Sequence, residues 1–209
     1  MTSRPKLLDL YSGAGGCAVG YHRAGFDVTG VDINPQPRYP FAFVQGDALE
    51  YVAAHGHEYD AIHASPPCQA YSEATPLRFR AQSPDLIAAT RDALVTVGVP
   101  FAIENVENAR AHMRNTVMLC GSMFGIGVRR HRYFETSPFW CMAPATCLHR
   151  GRPVVLSPGS NARKGRGPSD IAEQREAMGI DWMTGKELNQ AIPPAYTEFV
   201  GTQIRKFLV

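Results

Sequence analysis

The first half of the chain alternates short apolar runs with longer amphipathic stretches. Five of the apolar runs have the length and the β-branched or aromatic content of buried strands. These runs cover residues 7–11, 26–33, 41–45, 59–64 and 101–106. Strands that alternate with helices at this spacing predict βαβ units and a parallel sheet, and therefore an α/β fold of the Rossmann type with helices on both faces.

Helices are predicted between these strands and again towards the end of the sequence. Residues 17–24 follow a glycine-rich turn, and a second helix is predicted from Ser83-Pro84-Asp85 to about Val97, with Ser83 at its cap and Pro84 at its first position. Three further helices are predicted at 169–178, 184–190 and 196–207. Between the two groups, residues 138–168 are rich in Pro, Gly, Ser and Arg and show little periodicity, which indicates loops.

The pattern divides the chain of 209 residues into three segments. We expect residues 1–136 to form a ligand-binding core, residues 137–168 to form a small basic lobe, and residues 169–209 to return to the core as helices. No apolar run approaches the roughly 18 residues of a membrane span. The N-terminal residues lack the apolar stretch of a signal peptide. Both features favour a cytoplasmic protein without a membrane partner.

Charge and cysteine content narrow the class further. The net charge is only +2, but residues 129–166 hold eight Lys or Arg residues and one acid, Glu135, so this window carries +7 and the rest of the chain −5. Such a block is typical of a lobe that binds a polyanion, and a solvated basic loop is the alternative. The five cysteines are an odd number, which argues against a disulfide framework.

A glycine-rich turn, Gly13-Ala14-Gly15-Gly16, follows the first predicted strand. With Ala18 it fits the pattern G-x-G-x-x-A, in which glycines let a ligand approach the backbone at a helix N-terminus. Asp32 follows at the end of the second strand, where a carboxylate would accept hydrogen bonds from ribose hydroxyls. By itself this pattern also fits a nicotinamide or flavin enzyme, or a purely structural turn.

Asp47 stands at the end of the third predicted strand, directly after Gly46. Its carboxylate would lie against an adenine amino group if the ligand is a nucleoside. The alternative is a helix N-cap for the segment that starts at Ala48.

The turn Pro66-Pro67-Cys68-Gln69 follows the fourth predicted strand. Two prolines restrict the backbone and present a thiol on a constrained loop, where a lowered pKa would make it nucleophilic. A lone cysteine is more often a small buried hydrophobe, but this context favours the nucleophile.

Two more polar motifs follow. Glu104-Asn105-Val106 ends the fifth strand, next to the expected position of Cys68, and a carboxylate there is costly unless it is exposed or used. In Arg130-His131-Arg132 the two arginines would share one face of an extended segment. The alternatives are a helix cap or an ion pair for Glu104, and a basic surface for the arginines.

Taken together, these motifs resemble those of the cytosine-C5 DNA methyltransferase family, in the family's order and over most of the chain. Pro-Pro-Cys-Gln is similar to its nucleophile motif and Glu-Asn-Val to its E-N-V motif. Residues 9–16 are similar to its first cofactor motif, 30–32 and 46–47 to the next two, 128–132 to Q-x-R-x-R and 189–194 to the closing motif.

The resemblance implies S-adenosylmethionine as cofactor and DNA, expected to be double-stranded, as partner, in a restriction-modification or phage setting and in the cytoplasm of a prokaryotic or phage-infected cell. It implies four catalytic residues, Cys68, Glu104, Arg130 and Arg132. The implied cofactor contacts are Tyr11, Gly13, Ala14, Gly15, Gly16, Asp32, Ile33, Asp47, Ala48, Pro66 and Gln190. The implied nucleic-acid contacts are Gln69, Ser72, Arg129, Arg150, Arg152, Arg163, Lys164 and Arg166.

The implied mechanism is covalent. The Cys68 thiolate adds to C6 of a flipped cytosine, Glu104 holds N3 and the amino group, and the activated C5 takes the methyl group.

The sequence departs from the family pattern in three places. Val128 stands where the family has Gln, and Asn189-Gln190 stands where it has Gly-Asn. The interval between Phe134 and Ser169 is short for the family's target-recognition region. Because each good bidentate base contact contributes about 1–3 kcal/mol, a small lobe predicts a short or relaxed target site and binding dominated by phosphates. A protein partner for target recognition stays open.

Cys141, Cys147 and His149 lie close together in the small lobe. They would supply three corners of a zinc site with a fourth ligand elsewhere. Their spacing is not that of a familiar finger, so free thiols and no metal are the prediction.

Three other functions remain open from the sequence. The first is an RNA (tRNA) cytosine methyltransferase of the same plan, and the second is an inactive DNA-binding relative or partner subunit. The third, a nicotinamide oxidoreductase, explains neither Cys68 nor Glu104.

Overall fold

The computed structural model describes residues 3–72, 75–76, 78, 82–156 and 169–209. The strands in these residues are β1 (Lys6–Leu10), β2 (Asp27–Asp32), β3 (Ala42–Gln45), β4 (Ala61–Ala64), β5 (Phe101–Asn105), β6 (Thr116–Leu119) and β7 (Arg132–Ser137). They form one sheet in the order β3-β2-β1-β4-β5-β7-β6. Strands β1 to β5 are parallel, and β7 is antiparallel to both β5 and β6. The α/β prediction and its five strands are confirmed, while β6 and β7 were not assigned as strands from the sequence.

The helices of the described residues are α1 (Gly16–Arg23), α2 (Ala48–His55), α3 (Ile87–Val97), α4 (Ile171–Met178), α5 (Gly185–Gln190) and α6 (Pro194–Phe207). Short 3₁₀ turns cover Gly56–Glu58, Glu107–His112 and Gly121–Met123. The predicted start of α3 at Ser83 is wrong, because the helix begins at Ile87. Asp85 lies before it and accepts a hydrogen bond from the Ile87 amide at 3.2 Å.

Helices cover both faces of the sheet because neighbouring residues of a strand point to opposite sides. Leu7 of β1 belongs to a core cluster that includes Tyr21 of α1 and Val200 of α6. Leu8 belongs to a second cluster, with Val52 of α2 and Leu94 of α3. Two apolar layers therefore hold the sheet rigid between them.

The C-terminal helix α6 packs closely on α1. The Thr197 hydroxyl donates to the Cys17 carbonyl at 2.9 Å, and a Cβ atom at Gly20 would overlap Thr197 and Pro194. Trp182, before α5, donates from its indole to the carbonyl of Ala14 at 2.8 Å. The C-terminal helices thus brace the glycine-rich turn and the start of α1.

Residues 138–153 contain no helix or strand. Their buried Phe139 packs into the core, and Val154, which follows them, forms an isolated bridge with Val128. Trp140 and Met142 are largely exposed. Among the described residues, no helix has the length and apolar character needed to cross a membrane.

Candidate active site

A cleft of about 780 Å³ opens at the carboxyl ends of β1, β2, β4 and β5. This volume lies in the range of about 300–1,000 Å³ that small-molecule sites occupy, and the edge is the usual ligand-binding edge of an open α/β sheet. Most of the predicted site residues line it: Tyr11, Gly13, Ala14, Gly16, Asp32, Ile33, Pro66, Cys68, Gln69, Ser72, Glu104, Arg129, Arg130, Arg132 and Gln190.

The structure does not bring the other predicted residues into the cleft wall. Gly15 is buried behind the turn, where a Cβ atom would lie 2.6 Å from Cδ of Pro40. Ala48 is buried in the core. Arg150 and Arg152 are exposed and do not line the cleft, although their neighbours His149 and Pro153 do. Arg163, Lys164 and Arg166 lie outside the described residues.

Asp47 takes the alternative role that the sequence left open, that of a helix cap. Its Oδ1 accepts hydrogen bonds from the amides of Leu49 at 2.8 Å and Glu50 at 3.0 Å. These bonds satisfy two of the N–H groups that a helix start leaves unpaired. Asp47 therefore has a structural role at the start of α2, outside the cleft wall.

Asp32 organises the glycine-rich turn. Its Oδ2 accepts from the Gly13 amide at 3.0 Å, and its Oδ1 accepts from the Asn34 amide at 2.9 Å. Gly13 has a φ of +49°, a conformation that glycine adopts without steric cost. A carboxylate accepts about four hydrogen bonds, so both oxygens of Asp32 retain a lone pair for a ligand.

Cys68 sits on a loop that β5 holds in place. The side-chain amide of Asn105 donates to the Pro66 carbonyl at 2.9 Å, in a buried position. The carbonyl of Cys68 itself accepts from the amides of Tyr71 at 3.0 Å and Ser72 at 2.8 Å. Burial and the neighbouring Glu104 carboxylate raise the pKa of the Cys68 thiol, while Arg132 and Arg130 counter them.

Glu104 lies in the floor of the cleft and is only 5% exposed. Burial raises its pKa, against the opposing effect of Arg132. Arg132 Nε lies 3.0 Å from Glu104 Oε1 and forms an ion pair with it, but this contact does not meet the geometry of a hydrogen bond. Within the described residues Oε1 accepts no hydrogen bond. One carboxylate oxygen is therefore available to a polar ligand.

Arg130 and Arg132 approach the same site, as their i and i+2 spacing predicts, although only Arg132 belongs to β7. Arg130 donates to the Asn189 carbonyl at 2.6 Å. Its own carbonyl accepts from the Tyr196 hydroxyl at 2.6 Å. Burial and the neighbouring Arg132 lower the pKa of Arg130 to about 9, so it stays charged at neutral pH. Two cations thus face a thiol and a carboxyl.

Sequence reasoning missed a buried polar chain beneath the cleft. The Tyr21 hydroxyl lies 2.9 Å from His63 Nδ1, and His63 Nε2 lies 2.9 Å from Ser65 Oγ. Burial lowers the pKa of His63 to about 3, which keeps the imidazole neutral. Ser65 also hydrogen-bonds Glu104. In the sequence, the polar residue His63 within an apolar strand was the one signal of these buried hydrogen bonds.

The sheet order and the site at its carboxyl edge define the class: an α/β Rossmann-like methyltransferase fold. The chain belongs to the C-5 cytosine-specific DNA methylase family, whose model matches residues 5–121. The resemblance seen in the motifs is therefore confirmed, and it indicates S-adenosylmethionine as the cofactor.

Individual relatives agree with this family. The chain is 34% identical over 80 residues to the Type II methyltransferase M.FnuDI of Fusobacterium nucleatum, covering 35% of this chain and 23% of the relative. It is 36% identical over 86 residues to M.XorII of Xanthomonas oryzae pv. oryzae, covering 34% and 20%. The matched region thus spans about a quarter or less of these curated relatives.

Two solved structures resemble the fold over nearly its whole length. One is described as a DNA modification methyltransferase of an E. coli prophage, with a TM-score of 0.66, 16% identity and coverage of 98% of this chain and 99% of that one. The other is S. pombe Dnmt2, with a TM-score of 0.63, 16% identity and the same coverage. At this identity they show the fold alone.

The cleft residues fit S-adenosylmethionine. Ser12 lies in the glycine-rich turn, and its buried hydroxyl has no hydrogen-bond partner among the described residues. Ile33 is 66% exposed at the end of β2, on the cleft wall. An apolar side chain at that position would be covered by an adenine ring, and the hydroxyl would be satisfied by a polar group of the cofactor.

Proposed function

We propose that this chain transfers a methyl group to C5 of cytosine in DNA. The observation that carries the proposal is the convergence of one thiol, one buried carboxyl and two arginines in one cleft at the carboxyl edge of the sheet. Cys68, Glu104, Arg130 and Arg132 come from three different segments. Hydride transfer in a nicotinamide enzyme does not require this combination of side chains, and a relative that only binds DNA does not require the thiol.

Cys68 supplies the nucleophile. C5 of cytosine is a poor nucleophile, and addition of the thiolate to C6 moves the ring's C5–C6 electron pair to C5. Bound S-adenosylmethionine would supply an electrophilic methyl group, to which C5 would bond with this electron pair as the cofactor sulfur leaves as a neutral thioether. Loss of the C5 proton to a base or to water then returns the electron pair to the ring as the S–C6 bond breaks and the thiolate leaves. Since Cys68 lies in a cleft, the base must be flipped out of a duplex to reach it.

Glu104 holds the ring during addition. Its raised pKa favours the protonated carboxyl, which donates a hydrogen bond to N3 while the other oxygen accepts from the exocyclic amino group. The negative charge that develops on the ring is stabilised by this proton. Arg132 lies beside the carboxyl and opposes this rise in the pKa of Glu104.

DNA is favoured over RNA by the family, and the basic residues around the cleft would contact the phosphates of either nucleic acid. Arg129 lines the cleft and also donates to the Gly151 carbonyl at 2.5 Å, which ties the small lobe to the catalytic edge. Because recognition by so small a lobe depends on phosphates, we expect a short target site and strong salt dependence. Bisulfite sequencing of treated DNA that found one long target site would exclude this.

The test is transfer of labelled methyl groups to duplex DNA and to tRNA side by side, followed by digestion to nucleosides. We expect label in 5-methyldeoxycytidine with the wild type and with Cys141→Ser, and none with Cys68→Ser. Label found only in RNA would show that RNA, and not DNA, is the substrate. Label in a base other than cytosine would overturn the proposed reaction.

A further inference from the structure

Two cysteines and two histidines meet beside the catalytic edge, outside the proposed reaction. Cys120 follows β6, His131 precedes β7, and Cys147 and His149 lie in the small lobe. All four ligand atoms, one from each side chain, lie within 4.8 Å of one another. The pairing of Leu119 with Arg132 in the β6–β7 ladder brings the first two together.

The distances match those of tetrahedral zinc. With Zn–S near 2.3 Å and Zn–N near 2.0–2.1 Å, ligand atoms around zinc lie about 3.3–3.8 Å apart. Here His149 Nε2 lies 3.3 Å from Cys120 Sγ and 3.1 Å from Cys147 Sγ. His131 Nε2 lies 3.5 Å from Cys147 Sγ and 3.1 Å from His149 Nε2. Four of the six distances among these atoms are therefore within or slightly below the range of a tetrahedral shell, and all six are within 4.8 Å.

Hydrogen bonds alone do not account for this packing. His149 Nε2 has three close neighbours, on Cys120, Cys147 and His131. A ring nitrogen has either one N–H or one lone pair, so it satisfies only one of them. A cation at the centre accounts for all three contacts at once.

The outer contacts have the pattern of a metal site. Nδ1 of His131 lies 3.8 Å from Oε2 of Glu107, on the side of the ring opposite Nε2. The Ser122 hydroxyl donates to Cys147 Sγ at 3.6 Å. Metal-bound imidazoles usually turn their second nitrogen to a carboxylate, and bound thiolates accept such hydrogen bonds.

We propose that Cys120, His131, Cys147 and His149 bind one structural Zn²⁺. Four protein ligands of this kind form a closed Cys₂His₂ set, which leaves no open position for chemistry. This set differs from the group considered in the sequence, which combined Cys141 with Cys147 and His149 and for which no metal was predicted. The Cys141 side chain packs against the hydrophobic core instead.

The zinc site would stabilise the lobe that DNA has to contact. Residues 138–153 lack regular secondary structure, and Trp140, Met142 and Leu148 are exposed, so apolar burial contributes little there. A metal crosslink is a common substitute for a core in such small units. Since His131 lies between Arg130 and Arg132, the same ion would fix the lobe relative to the catalytic arginines.

The test is the metal content of the full-length protein, which does not depend on activity. We expect wild type and Cys141→Ser, purified from zinc-supplemented medium, to carry about one zinc per chain. Cys147→Ser and His149→Ala should lose it. Replacing zinc by Co²⁺ should give the intense visible bands of a tetrahedral thiolate site in wild type and Cys141→Ser. Cys147→Ser and His149→Ala should not show these bands.

His149→Ala keeps the test decisive if a cysteine variant does not fold, because His149 is exposed. Wild-type protein that holds no zinc and gives no tetrahedral cobalt bands overturns the site. Zinc lost equally in Cys141→Ser and His149→Ala overturns the assigned ligand set. Neither result would bear on methyl transfer, which is measured separately.

Discussion

The contact between Asn105 and the nucleophile loop gives a quantitative prediction for the substitution Asn105→Asp. The change is nearly isosteric, and the aspartate oxygen would still accept from the Val106 amide, as Asn105 Oδ1 does at 2.9 Å. It removes the N–H that donates to the buried Pro66 carbonyl at 2.9 Å and places a second acceptor there. The lost bond and the orphaned carbonyl cost about 1–3 kcal/mol.

For a chain of this size, each kcal/mol lowers Tm by about 2–4 °C, so the expected loss is about 2–12 °C. The size of the loss should depend on pH. Burial against a carbonyl raises the pKa of the introduced carboxyl in the folded state, and the protonated acid again donates to Pro66. The variant should therefore be nearest to wild type at low pH and lose stability as pH rises through that raised pKa.

Differential scanning fluorimetry between about pH 5 and pH 8 measures this effect, with adduct formation by Cys68 as the functional readout. Asn108→Asp is the matched control, because Asn108 also donates to a backbone carbonyl, that of Tyr71 at 3.2 Å, but is exposed. Water replaces a lost bond there, so we expect less than about 1 kcal/mol. An Asn105→Asp protein with the Tm and adduct rate of the wild type would refute the proposed tether.

Three further predictions concern Cys68 and the contacts that support the site. Arg91→Met should cost about 3–5 kcal/mol in chemical denaturation because it strands the buried Glu135 carboxylate, and adding Glu135→Leu should recover most of it. The rate of Cys68 labelling by iodoacetamide should rise with pH, with a midpoint above the pKa of roughly 8.5 of a free thiol. Glu104→Gln should lower that midpoint because it removes a negatively charged neighbour. An unchanged midpoint would contradict this prediction. Gly20→Ala should lose about 1–3 kcal/mol by overlap between α1 and α6, and a neutral effect on Tm would argue against that packing.

Most of the parallel part of the sheet could be predicted from the sequence. Apolar runs that end in glycine, acid or proline marked β1 to β5, because buried parallel strands are continuous in their apolar residues. The start of α3 was misplaced because Ser83-Pro84-Asp85 has the residues of a helix start but lies in the irregular segment before the helix. The antiparallel strand β7 was missed because it mixes charged with apolar residues. Strand β6, which pairs only with β7 in the sheet, was missed with it.

The candidate site was predictable where its residues follow strands directly. Cys68, Glu104 and Asp32 were placed correctly because the carboxyl ends of neighbouring parallel strands meet at one edge. Asp47 could not be decided, since a strand-end acid and a helix cap have the same sequence signal. The cluster that includes Cys120 and His131 was invisible because it depends on the antiparallel register of β6 and β7, which brings distant residues together.

The proposed reaction depends on attack by Cys68 at C6 of cytosine in DNA. The most direct measurement is trapping on a duplex that contains 5-fluorocytosine, in the presence of S-adenosylmethionine, with the linked peptide identified by mass spectrometry. Fluorine at C5 prevents the final elimination, so we expect a denaturant-resistant adduct on Cys68 in wild type and in Cys141→Ser, and none in Cys68→Ser. An adduct that survives in Cys68→Ser, or methyl transfer by the wild type without any adduct, would contradict it.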